Sequence, residues 1–204
     1  MYLLQDKGYG LIVYHGTTNE QFLRDGLAGW PEGIVHYVQM GYANLSSSVY
    51  NMIFKSLSFW EGLLKLGCEH ALIFQTDVVL FKDTIDDYLE YDYVGAPWRD
   101  SFFGCRVGNG GFSLRRVETM LRLLTPPLAQ PNMPGNEDGY FGVLCMRNGY
   151  NLSSVDVAST FSVETIYHPD PCGLHKPWLS VFPSYEAYET MMTRRVVLGT
   201  LPNA

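Results

Sequence analysis

Apolar residues along the first half of the chain follow two rhythms. Gly10-Leu11-Ile12-Val13-Tyr14-His15 is a short run with β-branched residues and predicts a strand. Thr17-Thr18-Asn19-Glu20 has capping-box spacing and predicts a helix that Gly26 closes. Residues 34–40 predict a second strand. Ser46-Ser47-Ser48 offers N-caps for one long helix, with Val49, Ile53, Leu57, Trp60 and Leu64 recurring at about 3.6 residues and Gly67 at its end. Ala71-Leu72-Ile73-Phe74 lacks polar alternation, as expected of a strand covered on both faces. This β-α-β-α-β order predicts an α/β domain whose mostly parallel central sheet is flanked by helices.

The second half is less regular. Tyr91 to Gly95 predicts a strand stopped by Pro97, and Gly108-Asn109-Gly110-Gly111 leads into an apolar Phe112-Ser113-Leu114. Residues 116–124 predict a helix ended by Pro126-Pro127. The four prolines within residues 126–136 make that segment a loop. Residues 137–147 predict a helix with acids in its first turn and Asn148-Gly149 at its end. A last helix starts after Pro183. No composition break marks a linker, so a single domain spanning residues 1–204 is expected. The ending Thr200-Leu201-Pro202-Asn203-Ala204 suits a domain excised from something longer.

Composition narrows the function classes. Hydrophobic residues make up 47% and charged residues 17%, less charge than the ~25% of an average domain, so a disordered chain is excluded. Fourteen basic against 21 acidic residues give a net charge of −7. That balance supplies no general attraction to nucleic acid or an anionic membrane. No apolar run approaches the ~18–20 residues of a membrane span. The first ten residues lack a basic segment followed by an apolar one, so a cytoplasmic protein is expected. Cys68, Cys105, Cys145 and Cys172 form no C-x-x-C, which favours reduced thiols over a zinc ribbon.

Four places could carry chemistry. Asp77 follows the apolar strand through Gln75 and Thr76. A carboxylate beyond a strand's C-terminal end can hold a hard divalent cation, which in turn holds phosphates. Gly108-Asn109-Gly110-Gly111 permits close backbone approach to a ligand, or simply a tight turn. In Asn136-Glu137-Asp138, one carboxylate could act as general base, or both could serve the helix dipole. His168 to Trp178, a proline-stiffened stretch, offers an imidazole for a metal and an ammonium for a phosphate.

In this order, FWEGLL, LIFQTDVVL, YDYVGAPW, GNGGFSLR, the ED pair, FSVE and GLHKPW resemble a poorly characterised glycosyltransferase-like family, and the resemblance implies its GT-A-like (Rossmann-like) fold. The likeness runs from about Tyr50 to Trp178. The chain is also similar to the N-terminal glycosyltransferase domain of a large chlorella-virus protein, which would place it in a host cell's cytoplasm. The resemblance implies an inverting transferase that moves a sugar from a UDP-sugar to an acceptor hydroxyl in glycan synthesis. Gln75-Thr76-Asp77 falls where such enzymes carry a DXD motif, so Asp77 would bind Mn²⁺ or Mg²⁺ with Thr76 beside the donor. GLHKPW implies His175 as metal ligand, with His168 as the alternative, and Lys176 on the diphosphate. His15, Gly16 and Thr17 would cradle the base and ribose, and Asn109, Gly110 and Gly111 would lie beside the donor sugar. Asp138, then Glu137, would be the base. Only one acid stands in the DXD position, which leaves open a nucleotide-sugar-binding module without transfer activity. A nucleotidyltransferase is a further alternative, weakened because HGTTNEQ is not a glycine-rich basic loop.

Overall fold

Leu11–His15 forms strand β1 and Val35–Gln39 forms β2, with helix α1 at Glu20–Gly26 between them. The computed structural model describes Leu4, residues 7–31 and residues 33–198, and the final Thr200 to Ala204 lies outside that range. Two compact units are distinguished, residues 1–52 and 53–204. In the first, β1 and β2 pair in parallel with Leu11 opposite Val35 and His15 opposite Gln39. Helix α1 starts at Glu20 rather than Thr17, and its N-cap Asn19 makes no side-chain capping bond.

The long helix predicted from residue 46 is two helices, α2 at Ser47–Phe54 and α3 at Leu57–Lys65. The Ser56 hydroxyl accepts the Phe59 N–H and starts α3. The apolar rhythm continues across that break, so periodicity alone hides it.

From His70 onward the chain builds strands β3 (His70–Phe74), β4 (Val78–Leu80), β5 (Tyr93–Gly95), β6 (Pro97–Phe102), β7 (Cys105–Val107) and β8 (Phe112–Arg116). Helices α4 (Val117–Leu123), α5 (Glu137–Arg147) and α6 (Val155–Phe161) follow. Strands β9 (Ser162–Val163) and β10 (Gly173–His175) and helix α7 (Tyr185–Leu198) complete the fold. One three-stranded sheet has the order β3-β8-β5 and a second β4-β10-β9, while β6 and β7 form a hairpin.

These pairings overturn the expected mostly parallel central sheet, and with it the GT-A-like, Rossmann-like fold. The pairs β3–β8, β5–β8, β4–β10 and β6–β7 are antiparallel. Among the described residues, only β1–β2 and β9–β10 are parallel strand pairs. Helices between β2 and β3 predict a crossover to a parallel neighbour. Instead β3 takes its partner from later in the chain, with Phe74 opposite Phe112 and His70 opposite Arg116. Nor is β3 covered on both faces: Ala71 is buried, Leu72 and Ile73 are half-buried and Phe74 is exposed.

The core of the larger unit is aromatic. Trp60, Tyr93, Phe112, Phe141 and Phe161 are all fully buried. Trp60 meets Phe141 edge-on at 5.8 Å, and Phe112 stacks on Phe161 at 4.7 Å. All four cysteines are free thiols. Among the described residues no helix is long and apolar enough to cross a membrane.

Candidate functional site

Strand register brings distant residues together at one edge of the larger unit. Gln75, Thr76 and Asp77 form the turn between β3 and β4, closed by the Val78 N–H donating to the Gln75 carbonyl at 3.1 Å. The Gln75 N–H donates to the Gly111 carbonyl at 2.9 Å, which continues the β3–β8 ladder past Phe112. His175 pairs with Val78 in the β4–β10 ladder, so its ring lies beside Asp77. Ser162 and Val163 pair with Gly173 and Leu174, so the next residue, Glu164, arrives beside His175.

The imidazole is buried and meets oxygen on both sides. Nδ1 lies 3.0 Å from Asn109 Oδ1 and 3.3 Å from Glu164 Oε1. Nε2 lies 3.1 Å from Gln75 Oε1 and 3.4 Å from Asp77 Oδ1. Asn109 Oδ1 also accepts the Gly111 N–H at 3.0 Å, which identifies it as the amide oxygen. Nδ1 therefore donates, and Nε2 turns toward a carboxylate. A lone pair there opposes the Asp77 oxygen unless a proton or a cation lies between them.

This donor set fits a divalent cation. Asp77 is 45% exposed against 2% for His175, so the pair spans from interior to solvent. A carboxylate and an imidazole with an amide oxygen nearby are residues that could hold a divalent cation such as Mn²⁺ or Mg²⁺. Among the described residues no group of three or more His, Cys, Asp or Glu could by itself hold a metal ion. Donor oxygens would have to complete the coordination. His168, the alternative ligand, instead accepts the Asp170 N–H at 3.2 Å within its own loop.

Lys176 holds φ = +51°, in the left-handed region, a conformation that costs a non-glycine residue about 1–2 kcal/mol. Its ammonium lies 3.1 Å from Glu164 Oε1. Burial alone raises the Glu164 carboxyl. The hydrogen bond and charge of His175, with the Lys176 ammonium, outweigh burial and hold it below the usual carboxylate range.

The glycine segment serves close packing. A Cβ at Gly111 would overlap the His175 ring, and one at Gly110 would overlap the Glu137 carboxylate and crowd the Arg115 guanidinium. Gly110 donates its N–H to Asp138 Oδ2 at 3.3 Å, and the Gly139 N–H donates to Asp138 Oδ1 at 2.7 Å. Asp138, half-buried at the start of α5, is thereby tied to the segment carrying Asn109. Glu137 points the other way. Its two oxygens take Arg115 Nη1 at 2.5 Å and Nη2 at 3.1 Å, and burial pushes its carboxyl up against the pull of that guanidinium. Lys55 donates to the Gly135 carbonyl at 2.8 Å. Burial lowers its ammonium, while the charges of Glu137 and Asp138 act the other way.

His15, Gly16 and Thr17 belong to the smaller unit. His15 Nδ1 lies 2.9 Å from the Gly16 carbonyl oxygen, and the Thr17 N–H donates to the Tyr42 carbonyl at 3.1 Å. Gly16 packs against the Ala43 carbonyl too closely for a side chain. In the larger unit, Asp77, Asn109, Gly110, Gly111, Asp138, His175 and Lys176 form one connected network, with Thr76 exposed on its rim. Sequence reasoning assigned no role to Gln75, Glu164 or Lys55. The only signal for Glu164 was its place in FSVE.

The sequence pattern of the family described as Protein of unknown function (DUF5672) matches residues 35–175. The chain belongs to that family. Its matched region holds Gln75, Asp77, Asn109, Asp138, Glu164 and His175, while residues 15–17 fall before it and Lys176 just beyond it. No curated protein matches the chain.

Proposed function

We propose that this DUF5672 protein is an inverting, divalent-metal-dependent glycosyltransferase that moves a sugar from a UDP-sugar to an acceptor hydroxyl in glycan synthesis. The observation that carries the reading is the approach of His175 Nε2 to Asp77 Oδ1, 3.4 Å apart although the residues are nearly a hundred positions apart in sequence. Asp77 and His175 would hold Mn²⁺ or Mg²⁺, which when bound neutralises charge on the diphosphate as it leaves. Lys176, at the solvent edge of the same network, adds a second positive charge for that diphosphate.

Asp138 accepts the Gly110 N–H, and the next residue, Gly111, packs on the imidazole. The Asp138 carboxylate takes the acceptor hydroxyl proton as that oxygen attacks the anomeric carbon. The bond from the anomeric carbon to the diphosphate oxygen breaks, and its electron pair leaves with UDP. Attack opposite the leaving group inverts the configuration. Glu137, with both oxygens on Arg115, holds the start of α5 in place and leaves the base role to Asp138.

A panel of UDP-sugars with Mn²⁺ and hydroxyl acceptors tests the reading. Asp138→Asn should keep UDP binding and lose about 10²–10⁴-fold in transfer; unchanged turnover would remove the base. One observation favours a binding module instead. Both Asp138 oxygens already accept backbone N–H bonds, which occupy lone pairs that a base would turn toward the acceptor hydroxyl. Donor binding with no Mn²⁺-dependent hydrolysis or transfer across the panel would select that module.

A further inference from the structure

We propose that Glu164 is a positioning residue whose single buried carboxylate oxygen holds the His175 ring and the Lys176 ammonium together, presenting the Nε2 lone pair to Asp77. This deepens the proposed transferase reading and rests on its assignment of His175 and Lys176.

Glu164 is 7% exposed, and its Oε1 lies 3.3 Å from His175 Nδ1 and 3.1 Å from Lys176 Nζ. Successive residues of a strand send side chains to opposite faces. His175 and Lys176 nevertheless meet the same oxygen. The left-handed backbone at Lys176 accounts for this, because it breaks the alternation just where β10 ends. The parallel β9–β10 register fixes Glu164 at the height of His175. A carboxylate held beside Nδ1 favours the tautomer protonated there, which leaves Nε2 free as a metal ligand, and such partners typically change metal affinity 10–100-fold when removed. Asn109 Oδ1 accepts from the same Nδ1 but bears no charge and has no contact with Lys176 in this network. Through Glu164 Oε1 the imidazole and the ammonium share one charged oxygen.

The test uses the full chain without metal, then with Mn²⁺. Long-range proton–nitrogen NMR in mildly alkaline buffer, with the His175 signals assigned by their loss in His175→Asn, reads the tautomer directly. Wild type is expected to show one tautomer, protonated at Nδ1. Glu164→Gln, nearly isosteric, is expected to lose that single tautomer, and Glu164→Asp to lose it in part. A doubly protonated ring in wild type, or an unchanged tautomer in Glu164→Gln, overturns the proposal. Calorimetric titration with Mn²⁺ then separates it from the transferase reading. A loss of about 10–100-fold in affinity for Glu164→Gln supports both. An Mn²⁺-silent wild type with the tautomer change intact removes the metal assignment and leaves Glu164 as the residue that positions the ring.

Discussion

Two ionic clusters flank the Asn109-Gly110-Gly111 segment, and their environments differ. Arg115 and Glu137 are 0% and 3% exposed. The guanidinium lies 4.8 Å from the Tyr93 ring centroid, 5.5 Å from Phe54, 5.7 Å from Phe141 and 6.0 Å from Trp60. Every charge there is paired and walled off from water. The His175 cluster grades outward, from the buried imidazole and Glu164 to the half-exposed Asp77 and Lys176. A sealed pair anchors α5 against β8. An open one can exchange a partner for a ligand. Adjacent carboxylates thus take different duties: Glu137 belongs to the anchor and Asp138 to the open side.

The largest effect should come from breaking the anchor. Glu137→Ala strands a buried guanidinium and should cost about 3–5 kcal/mol in urea unfolding. Replacing both partners, Arg115→Met with Glu137→Leu, should recover much of that loss. Equal costs for the single and double variants would show that the charges themselves are not the issue. Gly111→Ala lies between the clusters. Its new methyl would displace the His175 ring at a cost of about 1–3 kcal/mol. Mn²⁺ binding should fall with it, whereas Mn²⁺ binding at full strength would mean that the ring is not fixed there.

Asp138→Asn should touch stability least among the carboxylates of α5. The helix-dipole contribution lost is about 0.3–1 kcal/mol, read from the denaturation midpoint, while transfer falls as stated above. A loss near that of Glu137→Ala would erase the distinction between the two neighbours. The smallest effect concerns pH. The Glu164 carboxyl is held below its ordinary 4.5 in the folded protein. Its ionised form therefore adds stability above that value, and the contribution disappears as pH falls through the depressed folded value. The stability difference between wild type and Glu164→Gln should shrink on acidification below 4.5. A difference that grows there would reverse the assignment.

Local signals explain which parts of the fold were legible. Residues 137–147 were predicted as a helix, and α5 spans Glu137–Arg147, because acids open it and Asn148-Gly149 closes it. Strands β9 and β10 have two and three residues, too short for alternation to register. The β6–β7 hairpin turns through Phe103 and Gly104 at φ 47° and 85°, and Phe-Gly is not the Asn-Gly signal that marks such turns. Sheet direction failed for a different reason. The partner of β3 is set by residues about forty positions later, beyond any window of periodicity. In the site, Asp77 could be singled out because it follows an apolar strand, and His175 because it stands beside Lys176 in a proline-stiffened stretch. Glu164 and Gln75 acquire meaning only from the ladders that place them beside the imidazole.

The central claim is that Asp77 and His175 form a cation site that serves a nucleoside diphosphate. Calorimetric titration of UDP with and without Mn²⁺, on wild type and Asp77→Ala, addresses it most directly. UDP binding to wild type is expected to weaken at least about tenfold, some 1.4 kcal/mol, without Mn²⁺ or without the Asp77 carboxylate. UDP affinity indifferent to both would contradict it.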